Sequence, residues 1–331
     1  MKIAYVMYPG GCYVGNQDGQ KMQAIIWARG LEKYNHEIDF INPWEKYNWD
    51  EYDIIHVFGI GLWNYDFIHW GSRLNANFVF SPIIDSTTPI WKYKLATYCG
   101  IKKLRLYSQN YMLRKLKNDI KLFYSRSNYE SSYLEKGYGI SHNKIINLPL
   151  SYRFDNYKKI PKEKFCLFVG TITQERKNVL SLIKAAIKYN FKLVLVGNTG
   201  NKESFNKVRS LISDKKNIEI KGIVSDQELI TLYNKAKVLA LPSINEGVGL
   251  VALEAAVHGC DIVITEIGGP KEYYNNMAYT VNPYDIDDIG KKVILALNEN
   301  KYQPQLRQYI INNYSLDHSI SKLINSYKAL L

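Results

Sequence analysis

No apolar run in the 331 residues approaches the ~20 residues a membrane-spanning helix needs. Met1 to Met7 is too short for a secretory signal peptide and reads as a first strand. Cysteine is scarce: Cys12, Cys99, Cys166 and Cys260 lie far apart without metal spacing, which excludes a disulfide framework and fits a reduced cytosolic protein. None of the six histidines (His36, His56, His69, His142, His258, His318) falls in a metal-binding pair. No Asp-x-Asp closes a strand in the first half, and the one in Asp285-Ile-Asp-Asp288 precedes a helix, where N-terminal capping accounts for it. Gly59-x-Gly61 lacks the third glycine of a dinucleotide fingerprint and is a turn rather than an NAD site.

What is present is patterning enough for two domains, with 46% hydrophobic residues. Strand runs at Lys2–Met7, His36–Ile41, Tyr52–Phe58, Asn77–Asp85, Lys121–Ser125 and Lys144–Pro149 surround helical patterns at about 20–34 and 128–137. A loop with Pro9, Gly10, Gly11, Gly15 and Gly19 follows the first of them. This is the opening of a doubly wound α/β domain, closing near Ser151. Residues 152–163 lack periodicity and read as a linker. The pattern then restarts, with strands at Phe165–Gly170, Lys192–Gly197, Asn217–Ile223, Lys237–Leu241, Asp261–Thr265 and Ala278–Val281, and helices at Asn178–Tyr189 and near Asp226–Ala236. Terminal helices carry Ile320, Leu323, Ile324, Tyr327 and Leu330 at helical spacing.

The net charge of +12 is unevenly placed: residues 91–126 hold ten Lys or Arg against Asp119 alone, an excess of nine. Trp91, Tyr93, Tyr98, Tyr107, Tyr111, Phe123 and Tyr124 are interleaved with these cations. Nucleic acid, an anionic membrane surface, an anionic acceptor and a merely solvated face all fit such a stretch.

Carboxylates break the apolar pattern regularly in Pro242–Cys260, PSINEGVGLVALEAAVHGC. After the buried strand come Glu246-Gly-Val-Gly249 and a helix whose Leu250, Leu253 and Val257 share one face, stopped by Gly259. Glu254 lies on or beside that core face and needs a partner, either ligand hydroxyls or a basic side chain. The amides of Gly247, Val248, Gly249, Leu250 and Val251 form the positive end of the helix and suit a phosphate. Taken alone, the same spacing is equally that of a solvated loop Glu246 and a rim Glu254.

The strand, Pro-Ser, Glu-Gly-x-Gly and small-residue helix together resemble the signature of retaining glycosyltransferases of the GT-B fold, the family numbered four. Gly170-Thr-Ile-Thr-Gln-Glu-Arg-Lys-Asn178 is similar to that family's phosphate loop, with Arg176 and Lys177 at the sheet's carboxyl edge, while taken alone it also fits an ordinary polar loop with Asn178 capping the next helix. The Arg common directly after the glycine is replaced by Thr171. Gly222–Leu229 resembles the segment whose backbone, near Val224, meets the nucleotide base, and Gly268-Gly-Pro-Lys-Glu272 the Gly-Gly-x-x-Glu turn. In the first half the match is thinner: Asp18-Gly19 stands for a Gly-Gly pair, Tyr124–Glu130 matches a strand-to-helix turn, and Pro82-Ile-Ile-Asp85 holds no His where many members have one. Asp85 fits a polar role on the acceptor side, or a turn cap.

The resemblance implies two Rossmann-like domains facing across a cleft, residues 1–151 for the acceptor and 164–305 for the nucleotide-sugar donor, with a terminal helix (about 310–331) packing back on the first. It implies transfer of a hexosyl group, with retention, from a UDP- or GDP-sugar to a hydroxyl of a glycan or lipid-linked acceptor in bacterial surface polysaccharide synthesis. Glu246 then orients the donor sugar, the amides of Gly247–Val251 with Arg176 and Lys177 hold sugar and diphosphate, Glu254 receives the ribose and Gly19 lines the donor side. No metal or cofactor is called for. The expected location is cytoplasmic, peripheral on the inner membrane face through residues 91–126, with no nucleic-acid partner. A nucleotide-sugar 2-epimerase of the same fold and a non-catalytic GT-B-like partner subunit are the alternatives. The first would need acidic and His residues for proton transfer.

Overall fold

The structure is a computed structural model that describes every residue except 8–18, 75–76, 102–103 and 105, and of Gln20 the backbone alone. Pro9, Gly10, Gly11, Cys12, Gly15, Asp18 and the cations Lys102 and Lys103 thus lie outside the described residues. Contacts gather the chain into two units, Met1–Leu150 with Leu316–Leu331, and Ser151–Ser315.

In chain order the first unit holds β1 (Lys2–Val6), α1 (Gly19–Glu32), β2 (Glu37–Phe40), β3 (Ile54–Phe58), α2 (Trp63–Gly71), β4 (Phe78–Ser81), α3 (Ile90–Tyr98), β5 (Gly100–Ile101), β6 (Leu106–Tyr107), α4 (Gln109–Leu116), β7 (Leu122–Ser125), α5 (Asn128–Ser132) and β8 (Ile145–Asn147). Six strands make a parallel sheet in the order β2-β1-β3-β4-β7-β8, while β5 and β6 pair as a separate antiparallel hairpin. β3 and β4 are buried at every residue, as a parallel strand covered on both faces requires.

The second unit holds β9 (Glu163–Val169), α6 (Val179–Tyr189), β10 (Leu193–Val196), α7 (Lys202–Ile212), β11 (Ile218–Gly222), α8 (Asp226–Lys235), β12 (Ala236–Leu241), α9 (Leu250–Val257), β13 (Asp261–Thr265), β14 (Tyr279–Val281), α10 (Ile286–Asn298) and α11 (Gln305–Tyr314). Its sheet is parallel, in the order β11-β10-β9-β12-β13-β14. The chain moves outward from β9 to β11 and then returns to β12 beside β9, so the strand order reverses between β9 and β12. Ligands bind outside the carboxyl ends of strands at such a reversal.

The terminal α12 (Leu316–Lys328) belongs to the first unit. It buries Ile320, Leu323, Ile324 and Tyr327, and Gly30 of α1 lets it approach: a Cβ there would stand 2.4 Å from Ile320 Cγ1. Tyr327 and Ser81 bracket the fully buried His56 through its two ring nitrogens, and burial lowers the pKa of that imidazole well below its ordinary value.

Residues 152–163 do not behave as the linker their composition suggests. Lys158 N–H donates to Asn234 Oδ1 (2.9 Å), and Lys162 Nζ donates to the carbonyls of Tyr233 (2.9 Å) and His258 (2.6 Å), so this stretch lies along the second unit.

Candidate functional site

The loops after β9 and β12 meet at the reversal. Ile244 N–H donates to the Arg176 carbonyl (2.8 Å), so the backbone fixes one loop against the other. Arg176 and Lys177 come from a short 3-10 turn, Glu175–Lys177, ended by Asn178 in the left-handed conformation at φ 55°. Asn178 was expected to cap the helix with its side chain. Instead its Nδ2 donates to the carbonyls of Pro242 (3.0 Å) and Pro283 (2.6 Å), tying together the loops after β9, β12 and β14. Close approach of the neighbouring loop rests on Gly197 at φ 128°, where a Cβ would lie 2.2 Å from the Gly170 carbonyl oxygen.

On that frame Lys177 Nζ donates to Glu246 Oε2, Ser243 Oγ donates to the same oxygen (3.2 Å), and Arg176 Nη1 stands 3.8 Å from Oε1. Two cations therefore face one carboxylate at the sheet's carboxyl edge, and the Arg176 side chain is 39% exposed, open to an anion. Gly249 (φ 75°) opens α9, and Ala252 N–H turns back to its carbonyl (2.8 Å). The Leu250 and Val251 amides thus precede the first intrahelical bond and carry the positive end of the helix.

Glu254 is fully buried and already has the basic partner its position demands. Arg153 donates through Nε to Oε1 and through Nη2 to Oε2 (3.1 Å), and Tyr233 Oη donates to Oε2 (3.0 Å). Burial pushes the Glu254 carboxyl up from its ordinary value, and Arg153 and Tyr233 oppose that shift. Arg153 also lies 3.9 Å from Asp226, two residues past Val224 in the loop after β11, so the expected base segment and the buried carboxylate share one guanidinium. Sequence reasoning missed Arg153 and Tyr233; the available signal was the rule that a buried carboxylate needs a cation, with Arg153 between Tyr152 and Phe154 as an amphipathic option.

Two expected residues belong to the first unit. Gly19 begins α1, is exposed, and has no atom within 4 Å of its would-be Cβ. Asp85 lies beyond the carboxyl end of β4 and pairs with Arg126, whose Nη2 donates to Oδ1 (2.7 Å). The Gly268–Glu272 turn follows β13 and leads into the 3-10 helix Pro270–Tyr274, with Pro270 buried.

Comparison with known proteins adds to this geometry. Residues 153–314 match the family described as glycosyl transferases group 1. An uncharacterised glycosyltransferase of Methanocaldococcus jannaschii is 31% identical over 180 residues, covering 50% of this chain and 45% of that protein. The O-antigen chain mannosyltransferase B of Escherichia coli is 23% identical over 240 residues, covering 63% of this chain and 61% of its own length. The chain thus spans about half the length of these relatives. Among solved structures, a glycosyltransferase from Rickettsia africae superposes with a TM-score of 0.73 at 21% identity, over 99% of this chain and 98% of the other. Anabaena HepE in complex with UDP and glucose gives 0.73 at 13% identity, over 99% of this chain and 100% of the other. These likenesses show a GT-B fold for the chain, within which residues 153–314 are similar to the glycosyl transferases group 1 family.

Proposed function

We propose that the protein is a glycosyltransferase that moves a sugar from a nucleoside-diphosphate sugar to a hydroxyl of a glycan or lipid-linked acceptor in polysaccharide synthesis. The observation that carries this reading is the meeting of Arg176, Lys177 and Glu246 at the strand-order reversal between β9 and β12. Arg176, Lys177 and the Leu250 and Val251 amides neutralise the departing diphosphate. Glu246 orients the donor sugar through its hydroxyls, and Glu254 takes the ribose hydroxyls in exchange for the Arg153 fork. With positive charge supplied by the chain itself, transfer needs no divalent cation. The acceptor hydroxyl gives its proton to the leaving phosphate on the face the phosphate departs from, which retains the anomeric configuration.

Relatives named as O-antigen mannosyltransferases favour GDP-mannose as a donor, and the HepE complex with UDP and glucose favours UDP-glucose. Incubation with a panel of nucleotide sugars, with EDTA in excess, tests the reading. Nucleoside diphosphate release that rises with acceptor is expected. Activity that EDTA abolishes and magnesium or manganese restores would remove the metal-independent mechanism.

The acceptor is proposed to lie at an anionic membrane. Support comes from α3 and the β5–β6 hairpin, where Trp91 (62% exposed), Leu95 (55%), Leu104 (63%) and Leu106 (65%) stand exposed with Lys92 and Lys94. Not all of the basic aromatic stretch takes part. Tyr93, Tyr111, Phe123 and Tyr124 are buried, Arg114 lies against the Tyr98 ring (3.2 Å to its centroid), and Lys117 donates to the Gly139 carbonyl (3.2 Å).

A further inference from the structure

Helix α9 carries much of what the donor reading asks of the second unit, the Leu250 and Val251 amides at one end and Glu254 in the middle. It is only eight residues long, about 12 Å, too short to hold a position by helix propensity alone. What grips it therefore decides where those groups stand.

The grip is at the carboxyl end. Gly259, at φ 82°, stops the helix, and the N–H groups of Gly259 and Cys260 turn back to the carbonyls of Ala256 (3.0 Å) and Ala255 (2.9 Å). Further carbonyls are met by side chains from two distant segments. Gln303 Nε2 donates to the carbonyls of Cys260 (2.7 Å) and Ala256 (3.3 Å), and Arg307 Nε, from α11, to that of Val257 (2.8 Å). From the stretch 152–163, Lys162 Nζ donates to the His258 carbonyl (2.6 Å). The two segments also close on each other, with the Arg307 guanidinium 4.1 Å from the centroid of the Tyr157 ring. Through Arg153 the same stretch reaches Glu254, one turn before His258, so it meets α9 twice.

A neutral donor such as Gln303 satisfies a buried carbonyl equally well. Here two cations are also drawn into half-buried places, at a cost visible in Lys162, whose pKa burial lowers from the ordinary lysine value. Cations there match the negative end of the helix dipole, opposite to the end assigned to the diphosphate.

We propose that Lys162 and Arg307 are positioning residues of the donor site, holding α9 from its carboxyl end and so setting the place of Glu254 and of the Leu250 and Val251 amides. The ligand rests on the glycosyltransferase reading, while the grip stands on the geometry of the second unit alone.

The test measures UDP and GDP affinity of the full chain by calorimetry, at a temperature where thermal unfolding shows every variant folded. Arg307→Ala, and Lys162→Met, which keeps the stem and loses the donors, are each expected to weaken binding of the parent's nucleoside diphosphate about tenfold. Arg307→Lys and Lys162→Arg, which keep a cationic donor, should recover most of that loss. A merely structural cap would lower the unfolding temperature and leave the affinity of the folded chain alone, as Val208→Ala on α7 is expected to do. A double-mutant cycle traces the route. Beside Glu254→Gln, the effect of Arg307→Ala on affinity should shrink by about twofold or more, because part of what it misplaces is already gone. Parental affinity in both Arg307→Ala and Lys162→Met, or an effect of full size in the Glu254→Gln background, overturns the proposal, and nucleotide binding by the parent then leaves the donor-site reading standing. A parent that binds neither UDP nor GDP overturns both.

Discussion

Glu246 and Glu254 have opposite surroundings, and their substitutions should separate accordingly. Glu254 is buried in a bidentate contact with Arg153, so Glu254→Ala leaves a largely buried guanidinium uncompensated. That variant is expected to lose about 3–5 kcal/mol of stability and to weaken nucleotide binding. Glu246 faces Lys177 and Arg176 at the sheet edge, and the exposed Arg176 can turn to water, so Glu246→Ala should bind nucleotide like the parent and turn over slowly. Calorimetric titration with UDP and GDP, beside urea unfolding, measures both. Equal nucleotide affinity in the two variants would contradict the Glu254 assignment. At this scale the sequence showed that Glu254 needs a partner but not which one, because Arg153 lies 101 positions away and Tyr233 is carried by another helix. Asp85 was legible as a polar residue in a loop, whereas its pairing with Arg126 was not, since Arg126 stands 41 positions on.

Among the elements, the central strands were readable because parallel strands covered on both faces are dominated by apolar residues, as in β3, β12 and β13, where His56, Lys237 and Asp261 are buried among them. Helices whose burial depends on few residues escaped notice. α7 buries Val208 alone, and α2 is preceded by Leu62, which offers no side-chain cap. The basic aromatic stretch concealed α3 and α4, whose inward Tyr93, Tyr111, Met112 and Leu113 are mixed in sequence with outward cations. The α1–α12 contact offers a direct test of packing. Gly30→Ala gains about 1 kcal/mol of helix propensity but drives a methyl into the buried Ile320, an overpacking cost of about 1–3 kcal/mol. The urea midpoint is expected to fall with an unchanged slope. A rise would mean that α12 rests more loosely on α1 than these distances indicate.

For the molecule as a whole, His56 sets a pH dependence. Its folded pKa lies well below the unfolded value of about 6.5, so below that pH the unfolded chain binds the extra proton and the folded chain does not. The stabilisation is complete above pH ~6.5 and is lost as pH falls, by up to about 1.4 kcal/mol per unit. Urea unfolding followed on the first unit from pH 7.5 to 5.5 should show this loss, and a flat profile would contradict it. Membrane association is tested by sedimentation with vesicles. Binding should require anionic lipid, weaken as salt rises, and fall when Lys92, Lys94 and Lys115 are neutralised, at roughly 1 kcal/mol per cation. Equal binding to neutral vesicles would assign the exposed rings to another role.

The loops after β9 and β12 are proposed to hold the diphosphate of a sugar donor. The measurement that addresses it most directly is nucleoside diphosphate release from GDP-mannose and UDP-glucose by the parent chain and by Lys177→Ala. Lys177 carries the direct contact to Glu246, so the account predicts release by the parent and a loss of about a hundredfold in the variant, the scale seen when one donor to a developing charge is removed. Release at the parental rate by Lys177→Ala, or a parent that neither binds nor turns over any nucleotide sugar, would contradict it.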